Sequence, residues 1–567
     1  MRNIRWQLLI AAGGLVLVVG LLLGQSPGID PTSPQPMRGG AYSEALIGSL
    51  LRLNPVLDNS NQADRDIDSL LFSGLVRFDD HGLPTPDIAE SWSISADATL
   101  FTFSLRDDAF WHDGESITSD DVVYTFSKLQ DEGYPGPAEL HELWKEINII
   151  QLDEHTVQFQ LPEPFAPFLD YLTIGLLPDH LLRGVSVVDM VDHPYNLQPI
   201  GTGPFRFDHF IVEDDEIVGV YLIAFSDYYD GAPYLERVEF RYFPDARSAL
   251  DAYLAGEVMG ISNVTPEILT EVLQDPNLNL HSTRLPKMGI VFLNIRHPEK
   301  EFLADRRVRQ ALLMAVNRQW LIDQAINGQA IAAHGPILPD TWAYAQDLPI
   351  IPFDPELAAE LLTSAGWELP VGAAPGSSEY VRQLDEQTLS FELAYPDDPM
   401  HAAVADILQS SWASVGASVE LIAVDHATLL TDYLQAHEYQ AVLTELNLIR
   451  SPDPDPYPFW HDTQIDTGQN YSGFSDRNVS IWLERARTIP DILRRADSYR
   501  HFQHRFQDQI PALLLYYPIY NYALDTQVQG VSIGLLLDPS DRFANISSWF
   551  MLASRNLTPT PEDDINP

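Results

Sequence analysis

The chain has 567 residues, too many for one hydrophobic core, so several domains are expected. Its 45% apolar and 10% aromatic content is that of a globular protein and excludes disorder over most of the length. With 81 acidic against 33 basic residues the formal charge is −48, which repels nucleic-acid phosphates and anionic lipid head groups. The absence of cysteine excludes disulfides, thiolate metal sites, a cysteine nucleophile and lipoprotein acylation.

Arg2 and Arg5 precede an uncharged run whose core, Leu8 to Leu23, is almost wholly Leu, Val, Ile, Ala and Gly. A charged start followed by an apolar run addresses the export machinery, so the body of the protein is expected outside the cytoplasm. No clear Ala-x-Ala site follows, so residues 1–24 read as an uncleaved signal-anchor, with a removed signal peptide as the alternative. Residues 25–40 form a Pro-, Ser- and Gly-rich linker. Gly24-Gln25-Ser26-Pro27-Gly28 matches the G-x-S-x-G nucleophile pattern, but that motif needs a strand before it and a helix after it, and has neither here.

The folded part starts near Tyr42. Asp68 to Phe78 predicts a helix ending near Gly74 and then a short strand. Asp64, Asp66 and Asp68 open like a calcium loop, but Ser69 and Leu75 stand where Gly and Glu are needed. A solvated acidic helix start is expected instead. Phe101, Phe103 and Leu105 alternate with Thr102, Ser104 and Arg106, as in a half-buried strand. Asp113-Gly114 supplies a turn. Thr118 then caps a helix, with Asp121 at its third position and Ile117 and Val122 placed as a staple. His112 and Asp113, adjacent on an extended chain, point in opposite directions, so they read as a turn rather than an acid–base pair. Thr156 to Leu161 alternates as a strand, and PEPFAPFLDYL leads towards a helix. In Pro199 to Phe207, Gly201 and Gly203 permit backbone conformations closed to other residues, and Pro204 fixes the chain as it enters a strand.

Ala246 to Gly256 predicts a glycine-closed helix followed by a short strand up to Ile261, and Lys287 to Asn294 a buried strand. Asp305 to Ile322 predicts one continuous helix capped by Asp305. Arg306, Arg307 and Arg309 on it are expected to pair with nearby carboxylates. Pro370 to Tyr380 reads as a surface insertion. A strand at Leu389 to Tyr395, a helix at His401 to Val415 and a strand at Ser418 to Val424 indicate a second α/β lobe. Ala441 to Thr444 is a strand. Four prolines make Arg450 to Trp460 a loop. His501 and His504 lie three apart on a helix from Asp491 to Gln509 with no third ligand, and read as surface. Neither H-E-x-x-H nor a Walker loop occurs. Ile510 to Asp525 is an apolar strand, and 554–567 a polar tail.

Five of these stretches, in this order, resemble the family 5 extracellular solute-binding proteins, the dipeptide-, oligopeptide- and nickel-type receptors of ABC importers. They are AESW with LRDDAFWHDGESITSDDVVYTF (89–126), G-T-G-P-F (201–205), DRRVRQALLMAVNR (305–318), the proline loop with GQNYSGFSD (451–476), and the strand 510–525. The resemblance covers about residues 42–550. It implies an α/β, periplasmic-binding-protein-like type II fold with two lobes joined by a two-strand hinge. Lobe I would be 41–78, 200–283 and 515–553, interrupted by an inserted domain at 79–199, and lobe II 284–514.

The function implied is capture of a peptide or another small solute by hinge closure. Delivery would go to ABC permease subunits served by a cytoplasmic ATPase, with a monomeric receptor, no cofactor and no catalytic or metal residues. Ligand contacts are implied at Asn59, Ser60, Asn61, Arg450, Asp453, Trp460, Tyr517 and Tyr520. Peptide-binding members carry an aspartate just before the proline loop, opposite the peptide amine. That position falls at or next to Arg450 here, which would attract a carboxylate or phosphate instead. A membrane-anchored solute sensor with the same fold and an exported hydrolase are the alternatives.

Overall fold

The computed structural model describes residues 36–448 and 453–552. The expected membrane segment, most of the linker, Arg450 and the polar tail lie outside them. Among the described residues no helix is long and apolar enough to cross a membrane.

Twelve strands join in one sheet. In chain order they are β1 (Ala41–Ile47), β2 (Phe205–Glu213), β3 (Glu216–Ala224), β4 (Arg237–Phe243), β5 (Gly260–Ile261), β6 (Leu278–Arg284), β7 (Lys287–Leu293), β8 (Ala330–Ala332), β9 (Ser390–Pro396), β10 (Ser418–Val424), β11 (Ala441–Asn447) and β12 (Ala512–Asp525). Their order across the sheet is β10-β9-β11-β7-β12-β5-β1-β4-β3-β2, with β6 and β8 also paired to β12. β12 is nearly all apolar or aromatic because it is a central strand of both halves. Its start pairs with β7 (Ala512 opposite Phe292), and its end pairs with β6 (Asp525 opposite Leu278). The chain therefore passes between the halves at two neighbouring points, Leu285-Pro286 and Tyr517-Pro518, where the Leu285 N–H donates to the Pro518 carbonyl at 2.8 Å. A proline at each point removes a ladder donor.

In the second half, the period of two sends β7 and β12 side chains to opposite faces. Val291, Leu293, Leu513 and Leu515 pack under helices carrying Val308, Leu312, Leu408 and Trp412. Ile290, Phe292, Ala512 and Leu514 pack under helices Arg477–Thr488 and Ile492–Gln509, through Val479, Leu483, Phe502 and Phe506. Helices on both faces explain why these strands read as continuous apolar runs.

The first half carries a separate four-stranded sheet in the order Ala89–Ile94, Leu100–Leu105, Thr156–Gln160, Asn148–Asp153. Phe101, Phe103 and Leu105 point inward as expected. Helix Ser119–Gln130 starts at Thr118, whose N–H donates to the Asp121 carboxylate at 2.9 Å. Phe126 stacks on Trp144 at 4.5 Å, and Phe168 meets Phe101 at 5.0 Å. This aromatic cluster is continuous with the core around Tyr42, Leu46 and Leu71.

Several expectations are corrected. The helix from Asp305 is two helices, Arg306–Met314 and Arg318–Ala325, because Asn317 caps the second by accepting the Trp320 N–H at 3.0 Å. Arg306 and Arg307 do pair with Asp508 and Asp305, at 2.8 and 2.7 Å. Arg309 is instead buried, donating to the carbonyls of Leu303, Gln509 and Ile510 at 2.7–2.8 Å, and burial pulls its pKa down to about 10. Asp64, Asp66 and Asp68 are buried, not solvated, on a helix that starts at Gln62. Asp64 accepts the N–H groups of Leu51 and Arg52, Asp68 that of Asn54, and Asp66 binds Arg542.

Gly201 and Gly203 do not adopt left-handed backbone. A Cβ at either would overlap a carbonyl oxygen at the end of that helix, Leu71 or Leu70, so close approach is what demands glycine. His112 locks the same turn, its Nδ1 accepting the Gly201 N–H at 3.1 Å and its Nε2 donating to the Gly203 carbonyl at 3.0 Å. Burial pulls its pKa down to about 4, so the ring is neutral there. In the described part of the proline loop, Tyr457–Trp460 forms a short helix.

Candidate functional site

The two halves meet where the turn Ala166–Leu172 of the four-stranded unit faces the helix Arg477–Thr488. Pro454 and Pro456 keep the strand-side chain irregular up to Tyr457, so its backbone donors stay available to other partners. The Asp453 N–H donates to the Asp170 carboxylate at 2.6 Å, across the junction. The Asp453 carboxylate is itself buried, pairing with Arg495 and accepting the Tyr499 hydroxyl at 2.9 Å. Asp455 holds Arg487 by a forked pair at 2.7–3.1 Å. The Arg487 guanidinium carbon lies 3.9 Å from the Tyr457 ring centre and 5.4 Å from that of Phe165. Arg495 lies 5.1 Å from the Trp342 ring.

Three carboxylates thus surround two guanidinium groups. Burial disfavours the charged form of Arg495, but Asp453 beside it outweighs this, and the pKa stays above the ordinary arginine value. Asp455 does the same for Arg487. Burial raises the Asp170 carboxyl well above the usual range; Asp453 adds to the rise, while the Asp453 N–H and Arg495 act the other way.

A second junction lies beside the two crossings. The Trp342 N–H donates to the His81 carbonyl at 3.0 Å. A groove of about 480 Å³ there is walled by Asp80, His81, Thr283, Arg284, Asp340 and Trp342. On the other side of Trp342 a groove of about 520 Å³ runs along Tyr344, Asp347, Ala496 and Arg500.

The structure places the sequence-derived candidates as follows. Asn59 donates to the Tyr134 hydroxyl at 3.1 Å, Ser60 is exposed, and Asn61 caps helix Gln62–Leu71. Asp453 belongs to the junction just described. Arg450 lies outside the described residues. Trp460 is buried between Phe292 and Phe506, with ring centres at 6.1 and 4.7 Å. Tyr517 donates to the Gly335 carbonyl at 2.6 Å, and Tyr520 to that of Ser262. Both are buried, and neither they nor Trp460 is brought to the Asp453 cluster. Sequence reasoning missed Phe165, Asp170, Trp342, Arg487 and Arg495. The scarcity of basic residues was the available hint to the two arginines. His501 and His504 bind different groups, the Asp497 carbonyl at 2.7 Å and Asp347 at 3.1 Å.

The family model for bacterial extracellular solute-binding proteins, family 5 (middle region), matches residues 84–467. The oligopeptide-binding protein AppA of Bacillus subtilis is 25% identical over 526 residues, 91% of this chain and 92% of that one. A dipeptide-binding protein of Escherichia coli is 26% identical over 486 residues, 82% and 86% of the two chains. The structure of NikZ from Campylobacter jejuni with Ni(L-His) matches with a TM-score of 0.67 at 25% identity, covering 90% of this chain and 99% of that one. Five motifs in order, two α/β halves sharing one long strand, and a matching family model over most of the length agree: the chain belongs to the bacterial extracellular solute-binding proteins of family 5.

Proposed function

We propose that this protein is the extracytoplasmic receptor of an ABC importer and captures a peptide or another small solute by closing two lobes about a hinge. The observation that carries the closing motion is the pair of adjacent proline-marked crossings, Leu285-Pro286 and Tyr517-Pro518, joining two separately cored halves. Few backbone torsions need change there for one half to rotate on the other. We take the lobes and inserted domain as outlined from the sequence, with the crossings at Leu285-Pro286 and Tyr517-Pro518 in place of 283/284 and 514/515. Ligand binding shifts the open–closed balance, and the closed form, as a monomer, engages the permease subunits. The cleft's junction residues, with Asn59, Ser60, Asn61 and Asp453, form its walls.

A thermal-shift screen tests the reading, with di- to hexapeptides, amino acids, oligosaccharides and nickel chelates as probes. A probe at 1,000 times its dissociation constant stabilises the fold by about 4 kcal/mol. Stabilisation by peptides with free amines identifies a peptide receptor; stabilisation only by acidic or sugar-like solutes keeps the receptor and removes the peptide. Silence across the panel moves weight towards the sensor.

The apolar run at residues 8–23 supports attachment to the outer face of the cytoplasmic membrane through an uncut signal-anchor. In a producing cell the protein is then expected in the membrane pellet with Met1 or Arg2 as its N-terminus by mass spectrometry. A mature soluble form starting after residue 24 refutes the anchor.

A further inference from the structure

The Asp170–Asp453 and Phe165–Arg487 contacts join the two halves through the protein's own groups. We propose that Phe165 and Asp170 are positioning residues that latch the closed cleft, a role that rests on the hinge-closure reading above. Everything on the second half that they meet is preset within that half. Asp455 holds Arg487, and Asp453 holds Arg495 and Tyr499, so closing immobilises few side chains. Arg487 already lies over Tyr457 of its own half; the Phe165 ring, 5.4 Å away, is the aromatic surface that only the opposite half supplies. The Asp453 N–H likewise has its acceptor, Asp170, on the opposite half, at 2.6 Å. Opening breaks both contacts at once and leaves the pairs within each half intact.

The latch is also proton-dependent. Closing brings the Asp170 carboxyl beside Asp453 and Asp455, with Arg495 as the opposing charge and Tyr171 next to it in the chain. Burial and the two carboxylates raise its affinity for a proton in the closed form, whereas opening returns it to water. The closed form therefore takes up a proton. Closure is favoured at low pH and weakens as pH rises through the raised Asp170 pKa.

The absence of native cysteine allows clean double spin-labelling of the full-length protein. Val188→Cys on the first half and Leu493→Cys on the second place labels at positions 63% and 77% exposed, and pulsed electron resonance reads the distance between them. At about pH 5 the shorter distance should dominate more than at about pH 8. Asp170→Asn keeps the acceptor oxygen and cannot ionise, so it should hold the shorter distance equally at both values. Phe165→Ala should cut the short-to-long ratio about threefold to fivefold at both, the change a partly exposed cation–π contact supports. The double variant Phe165→Ala/Asp170→Ala should favour the longer distance. Two distances whose balance neither pH nor any variant alters would sink the latch and leave the hinge standing. One distance in every sample, the double variant included, would sink both.

Discussion

Arg542→Met is expected to destabilise the first lobe by about 3–5 kcal/mol at neutral pH, because it strands two buried carboxylates. The Arg542 side chain is fully enclosed and forks onto Glu44 at 2.7 and 3.1 Å and onto Asp66 at 2.8 and 2.7 Å. Glu44 lies on the first strand, Asp66 on the first helix and Arg542 near the end of the described chain, so one side chain ties the beginning of the fold to its end. Tyr42 and Tyr522 donate to the Glu44 carboxylate at 2.6 and 2.5 Å, which fills its remaining lone pairs. Burial already pushes the Glu44 carboxyl up, with Arg542 working against it. Removing the arginine raises it further.

A carboxyl whose folded pKa exceeds its unfolded value holds protons more tightly when folded. Its stabilising contribution is present at low pH and is lost as pH rises through the folded pKa. The variant's deficit should accordingly be largest near neutrality and shrink towards about pH 4. Urea midpoints of both proteins at the two pH values test this. An equal deficit at both would mean that the loss comes from packing and not from stranded charge.

Asp453→Leu should be nearly as costly, about 3–5 kcal/mol, and the double variant Asp453→Leu/Arg495→Met should recover most of it. Arg495 is buried with Asp453 as its charge partner, flanked by Trp342 and Tyr499. With the aspartate gone, a buried guanidinium loses its paired carboxylate and keeps the Ala486 carbonyl, which accepts its Nε–H at 2.8 Å, and the Asp170 carboxyl across the junction; with both gone, the pocket is repacked. The backbone donor from residue 453 to Asp170 survives both substitutions, so the latch can be examined in the double variant. A single-variant loss below about 1 kcal/mol would show that Arg495 reaches water, because exposed pairs are worth no more than that.

What the sequence determined by itself was local and periodic. The alternation of Phe101, Phe103 and Leu105 named the buried face of a strand, Thr118 with Asp121 named a helix start, and Gly256 closed a helix in left-handed backbone. The apolar run of β12 announced a strand, and the motif order identified the family. The tertiary structure alone decided which charges meet. Asp66 and Arg542 are 476 positions apart, and Asp170 and Asp453 are 283 apart. The three aspartates at 64–68 therefore looked solvated when read by themselves. Gly201 shows the same limit, since its need for glycine comes from a helix end that only the folded chain brings against it. Periodicity reports which face of an element leaves water; the partner it finds there is set by the packing of elements far apart in the chain.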